Sequence, residues 1–164
     1  MTSVDGSEMM ANEDCSYMFS DLNKLNNIEF ASFYTNVAVD MSHMFENCSN
    51  LEYINTNGFD TFNVFTMDSM FKGCSKLKTV SAGDLETNNV NNISNMFYGC
   101  SSLNNIETNK WNLENCITAA NMFRDCQNLT SLDLSSFNTS NVTVMNGIFA
   151  QNSSLQSIDI SNFN

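Results

Sequence analysis

The chain contains no proline, where about eight would be expected in 164 residues at the usual frequency of roughly 5%. Basic residues are scarce. Six Lys and Arg face eighteen Asp and Glu, which leaves a net charge of -12. Phosphate repels a chain this acidic, so nucleic acid and anionic membrane surfaces are poor partners. There is one histidine, His43, and no C-x-x-C, so the ligands of a zinc site are missing. His43 lies five residues before Cys48, the wrong spacing for one helical face, and no second base completes a Ser-His-Asp set. No P-loop or G-x-G-x-x-G occurs, which removes phosphate and dinucleotide cofactors from consideration. No apolar run approaches the roughly 18 residues of a membrane helix, so membrane insertion is not expected. Residues Met1 to Gly6 lack the basic and apolar regions of a signal peptide.

What is abundant is amide and hydroxyl. The chain has 28 Asn, 21 Ser and 12 Thr, so its polar surface is mostly neutral. With 42% hydrophobic and 15% charged residues it has enough apolar material for a core. That material is periodic. Met-Phe recurs at Met18, Met44, Met70, Met96 and Met122, each step 26 residues, and Ile148-Phe149 continues the series. A leucine column (Leu25, Leu51, Leu77, Leu103, Leu129, Leu155) and an aromatic-rich column (Phe33, Phe59, Leu85, Trp111, Phe137, Phe163) keep the same step. So does a cysteine column of Cys48, Cys74, Cys100 and Cys126. A fixed period of this length marks a repeat array in which neighbouring coils bury one another's apolar face.

Each coil divides into two halves. Met67, Met70, Phe71 and Cys74 follow the i, i+3, i+4, i+7 spacing and predict a short helix. Leu129, Leu132 and Leu134 form L-x-x-L-x-L, the strand signature of a leucine-rich repeat. Phe137 to Val142 carries turn chemistry. The expected fold is α/β: a right-handed leucine-rich-repeat solenoid of about six 26-residue coils, parallel strands on one face and short helices on the other. Residues 1–17 fit the frame poorly and read as a degenerate partial coil, with the array over 18–164 and its last coil truncated. Neither end carries a polar cap, so the terminal coils are expected to continue in a longer array or to make end-to-end contacts. The cysteine column is expected to hold buried free thiols. The Thr column (Thr35, Thr61, Thr87, Thr139) and its neighbouring Asn column (Asn63, Asn89, Asn115, Asn141) are expected to bond to backbone.

Residues 122–145 resemble the BspA-like branch of leucine-rich-repeat proteins, whose pattern M-F-x-x-C-x-x-L-x-x-[IL]-x-[IL]-x-x-F-x-T-x-x-V-x-x-M they match almost throughout. The resemblance covers roughly residues 15–164. It implies a secreted or surface-exposed protein, adhesins among them, and implies no activity.

The expectation is therefore a non-enzymatic binding or adhesion module at the cell surface or outside it, without cofactor or metal, whose partner is a protein or glycan. The alternative is a structural spacer or assembly subunit with no ligand of its own. The invariant step leaves no inserted loop for a catalytic set. The outward strand positions vary between coils, and variation lets a repeated scaffold be specific. Glu107, Asp133 and Asp159 represent the acidic column there. Coil two adds aromatics at Tyr53, Phe62 and Phe65, where other coils are polar or variable. These six are the candidate partner-binding residues.

Overall fold

The structure is a computed structural model that describes residues 9–30, 33–81 and 85–164. Ala82, Gly83 and most of the N-terminal segment, Gly6 included, lie outside the described residues. The described part contains eight strands of two or three residues and no helix: β1 (Met9–Met10), β2 (Asn27–Ile28), β3 (Phe33–Tyr34), β4 (Tyr53–Asn55), β5 (Thr79–Ser81), β6 (Asn105–Ile106), β7 (Ser131–Asp133) and β8 (Ser157–Asp159). Every pairing is parallel. Ile28, Ile54, Val80 and Ile106 lie side by side, and so do Leu132 and Ile158, each one 26-residue period from the next. The strands form three groups, β1-β3, β2-β4-β5-β6 and β7-β8. The expected single ladder is therefore interrupted between β6 and β7.

The expected helices are absent, and the physical reason is visible in the backbone. Within the Met-Phe half of each coil, alternate N–H groups leave the coil altogether. Those of Met41, His43, Phe45 and Asn47 donate to the carbonyls of Thr66, Asp68, Met70 and Lys72 in the next coil, at 2.7 to 3.0 Å. The same four-bond set recurs from residues 15, 67, 93 and 119 onward. Intervening N–H groups close tight turns, Glu46 onto His43 and Cys48 onto Phe45. A helix would instead bond each N–H four residues back within its own segment. Two residues per coil, four apart, sit in the left-handed region: His43 (φ 58°) and Asn47 (φ 59°) in coil two, Ser69 and Gly73 in coil three, Asn95 and Gly99 in coil four. One such residue per four is incompatible with a right-handed helix. Of the twelve positions, nine are Gly, Asn, Asp or His, the types that adopt this conformation most readily. At Gly73 a Cβ would also lie 2.5 Å from Asn47 Oδ1, so any larger residue there must also displace the Asn47 amide.

The result is a stack of coils joined by two sets of contacts, compatible with a repeat solenoid. The turn ladder is continuous, with residue bridges running Asp14, Asp40, Thr66, Asn92, Thr118, Val144. The N-terminal coil departs from the period. Met9 pairs with Phe33, a step of 24, whereas Asp14 pairs with Asp40, a step of 26, so this coil is two residues shorter across the intervening turn.

The apolar columns fill the space between the ladders. Met41, Met44, Phe45, Cys48 and Leu51 have no exposure, nor do their counterparts Met67 to Leu77. Phe19, Phe45, Phe71, Phe97 and Phe123 form one stack of nearly parallel rings with centroids 5.2 to 5.6 Å apart. Trp111, Phe137 and Phe163 form a second. All six cysteines are free and buried. Each column thiol donates to a backbone carbonyl one coil earlier, Cys48 to Phe19, Cys74 to Phe45, Cys100 to Phe71 and Cys126 to Phe97, at 3.0 to 3.2 Å. Burial pushes the Cys48 and Cys116 thiols up to about 11 and the Cys126 thiol up to about 12. Thr and Asn columns bond to backbone as expected, but across coils. Thr61 donates to the Glu86 carbonyl and accepts its N–H, and Thr87 does the same with Asn112. Asn63, Asn89, Asn115 and Asn141 each donate to a carbonyl 27 residues earlier. In coil six Phe149, Leu155, Ile158 and Phe163 are only partly buried.

Candidate functional site

Strand geometry decides which side chains face outward. In each three-residue strand the middle residue points to the core and its neighbours point out. Ile54 is buried and Tyr53 is exposed; Leu132 is buried and Asp133 is exposed. Glu107 follows β6 directly and Asp159 closes β8, and both are exposed. Parallel register sets Asp133 beside Asp159.

These acids border two adjoining depressions. The larger, about 560 Å³, is lined by Ile106, Glu107, Thr108, Asn109, Asp133, Ser135 and Ser136. It opens where the strand ladder breaks between β6 and β7. There the Thr108 hydroxyl donates to the Asp133 carbonyl and the Ser136 hydroxyl to the Thr108 carbonyl, so polar side chains span the gap. The smaller, about 390 Å³, lies over β7 and β8 and shares Asp133. The lining of the larger groove carries two carboxylates and no basic side chain. Hydrogen bonds from the Ser135 hydroxyl and N–H hold the Asp133 carboxyl below the usual carboxylate range, so it is ionised at neutral pH. The Asp159 carboxylate accepts the Ser161 N–H at 2.9 Å.

The six candidate residues do not converge. Glu107, Asp133 and Asp159 line the depressions. Tyr53 belongs to the same strand face two coils earlier, between Asn27 and Thr79. Phe62 and Phe65, 62% and 53% exposed, lie instead on the turn after Thr61. There the Phe65 N–H donates to the Val39 carbonyl, and Asn89 donates to the Phe62 carbonyl.

The opposite face carries a polar cluster that residue-by-residue reading missed. His43 stacks on Tyr17 with ring centroids 4.4 Å apart and nearly parallel planes. Its Nδ1 lies 2.7 Å from Glu46 and its Nε2 lies 3.5 Å from Asp68. Lys72 reaches Glu46 Oε1 at 2.9 Å. Partial burial pushes the Glu46 carboxyl up, but the Lys72 ammonium and His43 outweigh this and hold it below its ordinary value. Asn95 continues the cluster by donating to Asp68. The signal was present in the sequence as opposite charges one period apart, Glu46 with Lys72 and Glu52 with Lys78. The Cys48 thiol is directed to the Phe19 carbonyl, away from His43's partners.

Among the described residues no three His, Cys, Asp or Glu side chains gather to hold a metal ion, and no helix is long and apolar enough to cross a membrane. No curated protein and no solved structure matches the chain. A family model does match, over residues 13–132 and again over 105–164, under the description "Mycoplasma protein of unknown function, DUF285". These two overlapping stretches take in every complete coil, and the chain belongs to the DUF285 family.

Proposed function

We propose that the chain is a right-handed leucine-rich-repeat solenoid of the BspA-like kind, and that its strand face is a non-enzymatic binding or adhesion surface at the cell surface or outside it. One observation carries the reading: the groove at the β6–β7 break, lined by Glu107 and Asp133, with Asp159 beside it. The columns facing inward are committed to the core, and the turn ladder is committed to inter-coil bonding. The outward residues of the strand face change from coil to coil. Its carboxylates and its Asn and Ser side chains accept and donate hydrogen bonds, which suits a basic protein surface or a glycan. Individual contacts on so shallow a surface are weak, so several coils act together.

A glycan array and a panel of basic and acidic proteins, each read with the full chain and with Glu107→Gln/Asp133→Asn, test this. Binding to a glycan or a basic protein that the double variant loses, at unchanged melting temperature, supports it. Binding that survives the double variant, or no binding anywhere on the panel, rejects it, and the latter outcome favours a structural spacer.

A further inference from the structure

A second surface stands apart from the strand face. The turn after the Thr column runs buried, exposed, exposed, buried, exposed in coils one, two and four, with Asn91 of coil three and Val142 of coil five half-buried instead. In coils three to five the corresponding positions are mostly amide, hydroxyl or acid: exposed Asn88 and Asn89 with half-buried Asn91, then Glu114 and Asn115, then Ser140, Asn141 and Thr143, with Ile117 the one apolar exception. The scaffold uses the Asn column here to bond the preceding coil. Nothing in the fold needs an apolar side chain at the exposed positions. Yet coils one and two place Val37, Val39, Phe62 and Phe65 there, 42% to 62% exposed. Val37 even stands in the Asn column itself, one period before Asn63. The hydrogen bond from the Phe65 N–H to the Val39 carbonyl makes the two turns immediate neighbours. Tyr34 and Met10, paired between β3 and β1 and 55% and 65% exposed, extend the patch by one more coil.

Acids bound this patch on both sides. Glu13 lies against Val39, whose N–H its carbonyl accepts. Asp14 and Asp40 pair beside it. On the other side the Asp60 carboxylate accepts the Phe62 N–H, and the Glu86 carbonyl accepts the Thr61 hydroxyl. No Lys, Arg or His occurs in residues 9–15, 33–41, 59–67 or 85–93, the four stretches that make up the patch and its border. Across three coils the patch extends two steps of about 4.8 Å along the stack, roughly the 10 Å width of one α-helix.

We propose that this turn edge docks a basic amphipathic polypeptide segment, its apolar face on Val39, Phe62 and Phe65 and its Lys or Arg side chains over Glu13, Asp40, Asp60 and Glu86. Charge selects this occupant. A second copy of the chain brings the same acidic border and is repelled, and so is an anionic bilayer. The surface is separate from the strand-face groove, so it stands or falls independently of that reading.

The test uses the full chain and a fluorescent helical peptide of Leu on one face and Lys on the other, roughly 18 residues long, with anisotropy as the readout. Phe62→Asn/Phe65→Asn copies Asn88 and Asn91 of the next coil, so it is compatible with the fold. We expect it to weaken binding by about tenfold or more, and Asp60→Asn/Glu86→Gln to weaken it and to reduce its salt dependence. A Leu/Glu peptide of the same length should not bind. Equal binding of the Leu/Lys peptide to wild type and to both variants overturns the proposal. So does equal binding of the Leu/Glu peptide, or a preference for phosphatidylcholine vesicles over the Leu/Lys peptide. Self-association in sedimentation that Phe62→Asn/Phe65→Asn removes would assign the patch to a second copy and overturn it as well. If the phenylalanine variant fails to melt cooperatively, Val39→Asn and the acid variant decide the matter on the same readings.

Discussion

The two faces of each coil are built on different rules. The turn ladder runs unbroken from Asp14 to Val144, every coil repeats its left-handed positions, and coils two to five repeat the Met, Phe and Cys columns. The strand face consists of two- and three-residue strands in separate groups, and its outward residues change from Glu29 to Asn55, Ser81, Glu107, Asp133 and Asp159. Continuity on one face releases the other from a structural duty. The array holds together through turns and core, and the strands are free to be short, interrupted and chemically diverse.

The comparison breaks most visibly if the core behind the turn ladder is removed. Phe71→Ala takes a fully buried ring out of the stack between Phe45 and Phe97 and should cost about 3–5 kcal/mol. The same change at Phe149, which is only partly buried, should cost clearly less. Urea denaturation of both variants checks the pair, and equal small losses would mean that the columns are not a shared core.

A smaller loss follows from the ladder's backbone. Gly73→Val forces a β-branched residue into φ 74° and sets its Cβ against Asn47, which should cost about 2–3 kcal/mol. Thr79→Val, on the strand face, should change stability by less than about 0.5 kcal/mol. A melting-temperature comparison separates them.

The cysteines give a pH-dependent contrast. Their folded-state values lie above the ordinary thiol value of 9.0, because burial disfavours the thiolate. The stability they contribute is thus complete below about pH 9 and is lost as pH rises through 11 to 12. Native protein at neutral pH should react slowly with a thiol reagent, and denatured protein should release six groups. Rapid labelling of the native column would contradict the ladder. Glu46 gives the smallest effect, of opposite sign. Its carboxyl is held low, so its contribution is present above about pH 4.5 and is lost on acidification below that. Wild type should therefore lose slightly more stability than Glu46→Gln between pH 5 and 3, by less than about 1 kcal/mol.

Much of this fold is legible in the amino-acid sequence. The 26-residue step fixes the registers Ile28–Ile54–Val80–Ile106, and the column logic assigns Cys48, Phe71 and Leu77 to the interior. The helix assignment failed because i, i+3, i+4, i+7 is a spacing that two physical objects share. A chain of turns with a left-handed residue every fourth position points Met41, Met44, Phe45 and Cys48 inward just as a helix would. The distinguishing residues are those between the apolar ones. His43 with Asn47, Asn95 with Gly99 and Asn121 with Asp125 repeat a left-handed preference that no helix tolerates four residues apart. The strand-face acids were legible as a column, but the groove was not. It depends on the interruption between β6 and β7, where no residue departs from the period.

The division of labour between the faces is tested most directly by two triple variants carried through the same binding and melting measurements. One is Glu107→Gln/Asp133→Asn/Asp159→Asn on the strand face; the other is Glu46→Gln/Lys72→Met/Arg124→Met on the turn ladder. The strand-face set should lose binding to a glycan or basic protein captured by the wild-type chain while its melting temperature stays within about a degree or two. The ladder set should lose about 1 kcal/mol of stability and keep that binding. Binding abolished by the ladder set and untouched by the strand-face set would contradict the account.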